Sequence, residues 1–228
     1  MEGNRMGVSP EEKREAMLKT WLSPSGIEFA NLEAEKLYKE RVTRLIRVIQ
    51  LKVPDRVPVF PSIGFFPTYY AGITPEEAMY DYDKLMMAWK KYQQDFEPDV
   101  YTGVSTPSPG RVFEILDYRL YKWPGHGTSP GSPYQCVEAE YMKEDEYDLL
   151  IEDPSDFWMR IYLPRIFGAL TPFRKLTPLT SLVEILNTAP YVLPYGTPDI
   201  QKAYQVLFKA GQEALRVGFV GRSGRDTS

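Results

Sequence analysis

The sequence is poorest in the residues that do most chemistry: 228 residues contain one cysteine, Cys136, and one histidine, His126. A single cysteine excludes an internal disulfide and fits a reducing compartment. One His and one Cys fall short of the three or four ligands that zinc takes, so the chain is expected to hold no metal and no other cofactor. Gly103 and Gly110 stand at no phosphate-loop spacing, and there is no nucleotide fingerprint. The net charge is only −4, and no run of Lys or Arg forms a stripe, which argues against nucleic acid as a partner. No apolar run approaches the roughly 20 residues that cross a bilayer, and Met1 to Thr20 lacks the apolar stretch of a signal peptide. A cytoplasmic chain with no membrane partner is expected. There is no internal repeat and no low-complexity block.

Proline and aromatic residues are plentiful instead. The 20 prolines are nearly twice the average share of about 5%, and aromatics make up 14%, with 16 tyrosines. Pro58, Pro61 and Pro67 interrupt regular structure at short intervals, so ordered loops are expected, which is where such folds place function. Hydrophobic residues at 43% and charged residues at 25% suit a folded chain with a sizeable core.

Ser9-Pro10-Glu11-Glu12 reads as a helix start, with Ser as N-cap, Pro at N1 and acids in the first turn. That helix runs to about Trp21. A longer one follows from about Phe29 to Gln50, with Tyr38, Val42, Leu45, Ile46 and Ile49 on its apolar face. Glu33, Lys36, Glu40, Arg44 and Arg47 are placed on its solvated face. After the turn Val53-Pro54-Asp55-Arg56, residues Val57 to Phe60 form a short apolar first strand, of the kind buried on both faces. Thr74-Pro75-Glu76-Glu77 starts a capped helix that continues from Asp81 to Phe96. Pro98-Asp99 then leads into a second strand, Val100 to Val104. Strand, helix, strand in that order suggests a parallel βαβ unit.

Tyr118 to Trp123 and Tyr134 to Glu140 read as an antiparallel hairpin excursion, with Arg119 and Lys122 facing Glu138 and Glu140. The six acids between Glu144 and Asp153 read as a solvated face rather than a metal site. Asp153-Pro154-Ser155-Asp156 opens a helix with apolar members Phe157, Trp158, Ile161, Tyr162 and Ile166. Leu179 to Leu186 is a short helix, and Thr197-Pro198-Asp199 caps a last helix to about Arg216. Residues 1–28 are an N-terminal helical extension, 29–217 the main domain and 218–228 a frayed tail.

Three segments in order resemble the uroporphyrinogen decarboxylase superfamily, which also includes corrinoid-linked methyltransferases. The first runs from Arg44-Leu45-Ile46-Arg47 through Pro54-Asp55-Arg56-Val57-Pro58 to Phe60. There the family has a helix, a Pro-Asp-Arg-x-Pro turn and barrel strand one. The second is Tyr92 to Val104, with its Pro98-Asp99 step. The third is Met142 to Asp148 with Asp153-Pro154 and Leu163-Pro164-Arg165. The similarity spans roughly residues 40 to 216.

The resemblance implies the N-terminal part of a (β/α)8 TIM-type barrel, for which about 250 residues is typical, with N-terminal helices and the hairpin added. It implies a lyase or methyltransferase acting on a tetrapyrrole or in corrinoid-linked methyl transfer, with a small molecule or a corrinoid protein as partner. The namesake's arginine-containing loop, which holds substrate carboxylates, corresponds to Pro61-Ser62-Ile63-Gly64-Phe65-Phe66-Pro67, where no cation stands. Its strand-two aspartate falls near Val104-Ser105-Thr106, where no acid stands. The zinc-binding His-x-Cys of the methyltransferases has no counterpart. A partial barrel leaves strand edges unpaired, so self-association is expected, and a non-catalytic, partner-binding role on the open face is the alternative.

Ser62, Phe65, Phe66, Tyr69, Tyr70 and Thr106 are the substrate-binding candidates. The four aromatics would lie beyond strand one on the catalytic face. They either line an aromatic pocket or close the barrel mouth by packing. His126, between Gly125 and Gly127, is the one candidate for catalysis; the alternative is a loop histidine bonded within a tight turn. Cys136, among apolar neighbours, reads as inert core.

Overall fold

The structure, a computed structural model, describes residues 9–100, 107–181 and 189–223, with side chains to Val217. It is a mixed α/β chain, mostly helical, with one small three-stranded sheet. Its described residues divide into two compact units, 9–62 with 93–100, and 63–92 with 107–181 and 189–223.

In the first unit, helix α1 (Pro10–Leu22) begins where the sequence places it. Ser9 accepts from the Glu12 N–H, and the Glu12 carboxylate accepts from the Ser9 N–H at 2.8 Å, satisfying two donors that a helix start otherwise leaves orphaned. Helix α2 (Leu32–Ile49) is capped by Asn31 rather than starting at Phe29. The Tyr38 hydroxyl ties it to α1 by donating to the Trp21 carbonyl at 2.8 Å. Two sides of α2 differ from expectation: Ile49 is exposed, while Arg44 is buried beside Ile46. Helical periodicity assigns a cation to water, and here pairing with Asp55 and the buried Asp99 outweighs that preference.

Residues 57–60 belong to no strand. Pro58 has no N–H to give, and the Val59 N–H is taken by the Asp99 carboxylate at 2.6 Å instead of by a strand. Val57 and Phe60 are exposed, not buried on both faces. Still, the Asp99 N–H donates to the Val59 carbonyl at 3.0 Å, so the two segments lie side by side where a βαβ unit would begin. The expected second strand falls outside the described residues beyond Val100.

The second unit opens with a short helix, α3 (Phe66–Tyr70). Helix α4 (Pro75–Tyr80) carries the predicted capping box between Thr74 and Glu77, and α5 (Tyr82–Phe96) follows, its residues 93–96 counted with the first unit. Beyond the short α6 (Gly110–Leu116), the hairpin forms. Strand β1 (Tyr121–Pro124) lies between β2 (Gly127–Thr128) and β3 (Gln135–Cys136), with Tyr121 opposite Cys136 and Lys122 opposite Gln135. Arg119 does not face a glutamate across the ribbon. It turns back to Asp117, 2.7 Å away, and Lys122 faces Gln135. β3 is only two residues long, and its Cys136 is exposed rather than core.

Helix α7 (Tyr147–Glu152) leads to one nearly continuous helical run. α8 (Pro154–Phe157) passes through a π turn at Trp158–Tyr162 into α9 (Leu163–Ile166). The wider turn is where Pro164 lacks an N–H for the Arg160 carbonyl; the Leu163 N–H reaches back to Trp158 instead. The acidic run is not wholly solvated, since Glu146 is buried and pairs with Arg165. Of the expected helix at 179–186, a 3-10 turn at Leu179–Ser181 is described. Past α10 (Ala189–Val192), α11 (Pro198–Ser223) stays helical well into the expected tail. Leu170, Phe173, Leu176, Ile200 and Ala203 form one core cluster; Phe65, Met79 and Trp123 form another. No described helix is long and apolar enough to cross a membrane.

Candidate functional site

The sequence candidates do not all gather. Ser62 is exposed and belongs to the first unit, and Thr106 lies outside the described residues. The aromatic group of the second unit splits by burial. Phe65 turns inward, packed edge-on to Tyr134 at 4.9 Å and next to Met79 and Trp123. Phe66, Tyr69 and Tyr70 on α3 stay 39–49% exposed. Phe66 and Tyr70 stack with centroids 5.9 Å apart, and the Lys91 ammonium sits 4.6 Å from the Tyr70 ring centre. Tyr69 is anchored through its hydroxyl, which donates to the Gly131 carbonyl at 2.9 Å. The result is a shallow aromatic platform with the Lys91 ammonium against its Tyr70 ring.

His126 is more than a loop residue. Its backbone closes a tight turn with Trp123, bonded both ways at 2.8 and 3.1 Å. Gly125 and Gly127 adopt φ of +77° and +91°, which a side chain would strain. The ring stacks on Trp123 at 4.9 Å and lies 5.8 Å from the Tyr80 ring. Its Nε2 is 2.9 Å from Glu114 Oε1, and its Nδ1 is 3.2 Å from Tyr80 Oη. The Tyr80 hydroxyl donates to Glu114 at 2.9 Å and accepts from Trp123 Nε1 at 3.2 Å. Burial first, then the Glu114 carboxylate, pushes the Tyr80 phenol up to about 12 against the opposing indole bond. Tyr80 stays a neutral donor to Glu114. Sequence reasoning found His126 but neither partner, because they lie 46 and 12 residues away.

A second constellation, in the first unit, went unnoticed as a cluster although its residues stand in the quoted motifs. Arg44 forks onto Asp55 through Nε at 2.8 Å and Nη2, and its Nη1 reaches Asp99. Arg56 clamps Asp99 through Nη1 at 2.7 Å and Nη2 at 2.8 Å. The Asp99 side chain is 0% exposed. Burial alone would raise its pKa; the Val59 N–H, Arg56 and Arg44 together overcome that and hold it below the ordinary carboxylate value. Arg44 likewise holds Asp55 down at about 2. Every strong group here is saturated by another, which describes a structural tie rather than a reactive centre.

Two open grooves of about 490 and 580 Å³ run beside α2, lined by side chains such as Glu35 and Lys39, and take in none of the candidate residues. Among the described residues, no three His, Cys, Asp or Glu side chains gather to hold a metal ion. No family model, no curated protein and no solved structure matches the chain.

Proposed function

We propose that residues 29–217 are the front part of a uroporphyrinogen decarboxylase-like (β/α)8 barrel. In this reading the chain binds a flat, conjugated ligand of the tetrapyrrole or corrinoid kind on the α3 platform, and does not decarboxylate it. One observation carries the reading. The Arg44, Asp55 and Arg56 of the first motif meet the Asp99 of the second in one network around the buried Asp99 carboxylate. That network brings Val59 against Asp99, the two places from which the resemblance would have strands one and two start.

Stacked, half-exposed rings suit a flat π surface, since aromatic faces attract one another by area and quadrupole. The Lys91 ammonium stands beside Tyr70, while the stretch Ser62 to Pro67 holds none of the arginines that the resemblance would require. Multiple carboxylates would lack bidentate partners, and catalysis that depends on positioning them would fail. Titrating the protein with a carboxylated porphyrin and, separately, with cobalamin tests this. Absorbance shifts of either chromophore that disappear in a Tyr69→Ala/Tyr70→Ala variant are expected. No binding of either ligand would overturn the reading.

A second reading, a partner-binding protein, is favoured by the first unit's surface. Leu51, Val53, Val57 and Phe60 are 67–96% exposed within ten residues of sequence, a concentration of apolar surface usual at interfaces. Light scattering on dilute protein separates the two, since this reading requires a mass above that of the monomer.

A further inference from the structure

Helix α11 carries apolar side chains on two sides, and its own chain covers one of them. Ile200 and Ala203 belong to a core cluster, and Ala210 is buried on the same side. Away from them stand Tyr204, Leu207, Phe208 and Leu215, 36–67% exposed, with the exposed Gly211 and Ala214 among them. Tyr204, Phe208, Gly211 and Leu215 follow at steps of four, three and four residues, the spacing of a seam along which two helices pack knobs into holes. The cations Lys202, Lys209 and Arg216 recur every seven residues on a third side, so the seam carries no charge. Gln205 and Gln212 border it on one flank, Leu207 and Ala214 on the other.

The seam is self-complementary when reversed. Its steps read the same from either end, so two copies crossing antiparallel about a two-fold axis set Phe208 over the partner's Gly211 and Tyr204 over the partner's Leu215. Each contact is then made twice, as in any isologous interface. On the flanks Gln205 meets the partner's Gln212, amides that both donate and accept, and Leu207 meets the partner's Ala214. Large residues fall on small ones at the centre and on one flank. Gly211 is the telling residue. A glycine inside a helix is less stable than alanine, and here neither a positive φ nor crowding calls for one, since an added Cβ would meet nothing within 4 Å. A ring arriving from a second copy does call for one.

We propose that α11 is a homodimer interface, along which two copies of the chain pair antiparallel with each Phe208 ring seated over the partner's Gly211. Aromatic side chains cover about 150–250 Å² each, so the exposed parts of the seam and its flanks supply on the order of 500 Å² per copy. The pair buries on the order of 1,000 Å², the size at which stable interfaces begin. A parallel pairing sets Phe208 against Phe208 and leaves a gap between two glycines. This surface lies on the second unit and rests neither on the family reading nor on the apolar segment from Leu51 to Phe60.

Sedimentation velocity on the full chain, from about 1 to about 100 µM, tests it. The expected result is a monomer–dimer equilibrium that is lost in Phe208→Glu and kept in Phe60→Glu, which alters the first unit's patch instead. Gly211→Leu should weaken the dimer at least tenfold and melt no lower than wild type at the lowest concentration, because the single chain has room for the new side chain. That variant gives the answer even where Phe208→Glu fails to fold. A monomer at every concentration overturns the proposal. So does a dimer that survives Phe208→Glu, or one that Phe60→Glu dissociates, which would put the contact on the first unit. A dimer that Gly211→Leu leaves unchanged or tightens overturns it too, as the outcome of parallel pairing. A Gly211→Leu chain that melts lower does the same, since the glycine would then serve its own fold.

Discussion

Arg44 on α2 meets the wholly buried carboxylate of Asp99, 55 residues further along the chain, while the same guanidinium grips Asp55 through Nε at 2.8 Å. Removing one partner of a buried, hydrogen-bonded pair leaves the other charge uncompensated, at a typical cost of about 3–5 kcal/mol. Arg44→Met is therefore expected to lower the urea midpoint by a large fraction of total stability. Arg44→Lys should recover little, because an ammonium cannot fork onto two carboxylates. A midpoint unchanged in both variants would remove the network from the account of the fold.

Acid should unfold the chain partly through Glu146. The hydrogen bonds from Arg165, joined by the Lys143 N–H and opposed by burial, hold this carboxyl down at about 2, against an ordinary value of 4.5. A depressed folded-state pKa means the unfolded chain binds more protons. The contribution is complete above about pH 4.5 and is lost as the pH falls towards 2. Melting temperatures measured across that window should fall less steeply in Arg165→Gln, which starts lower at neutral pH. Parallel curves for the two proteins would contradict the assignment.

Uroporphyrinogen should not be decarboxylated. The stretch Ser62 to Pro67 contains no cation, and each charged hydrogen bond missing from a substrate carboxylate forfeits on the order of 1.5–3 kcal/mol. Anaerobic incubation followed by product separation reads this directly, and turnover above background would refute it. Elemental analysis of the dialysed protein should also find far less than one zinc per chain, since one His and one Cys cannot complete a site.

Gly125 should tolerate substitution poorly. Its φ is +77°, and an added Cβ would run into the Glu76 side chain. Gly125→Ala is expected to cost about 1–2 kcal/mol, the penalty of the left-handed region for a residue with a side chain. Gly131→Ala, whose Cβ would meet nothing within 4 Å, serves as the control and should be close to neutral. Equal denaturation curves for the two variants would show that the turn can relax.

What the sequence by itself determined is what neighbouring residues decide. The boxes at Ser9 to Glu12 and Thr74 to Glu77 fixed two helix starts, because a side chain three residues away satisfies the orphaned N–H groups. The alternating stretch at Tyr118 to Trp123 likewise foretold the ribbon but not its register, which sets Lys122 opposite Gln135 rather than opposite a glutamate. Tertiary structure decided the rest. Arg44 sits on what helical spacing marks as a wet face, yet is buried, because Asp55 and Asp99 arrive from 11 and 55 residues away to neutralise it. Residues 57–60 looked like a buried strand from composition alone. They are not one in the structure, where a carboxylate takes the Val59 N–H and Pro58 has none. His126 was visible as a lone imidazole between glycines, but Tyr80 lies 46 residues before it and on another helix. Caps and turns close over three or four residues and leave a local trace. The burial of a charge, or the pairing of an imidazole, depends on partners that only the folded chain brings within 3 Å.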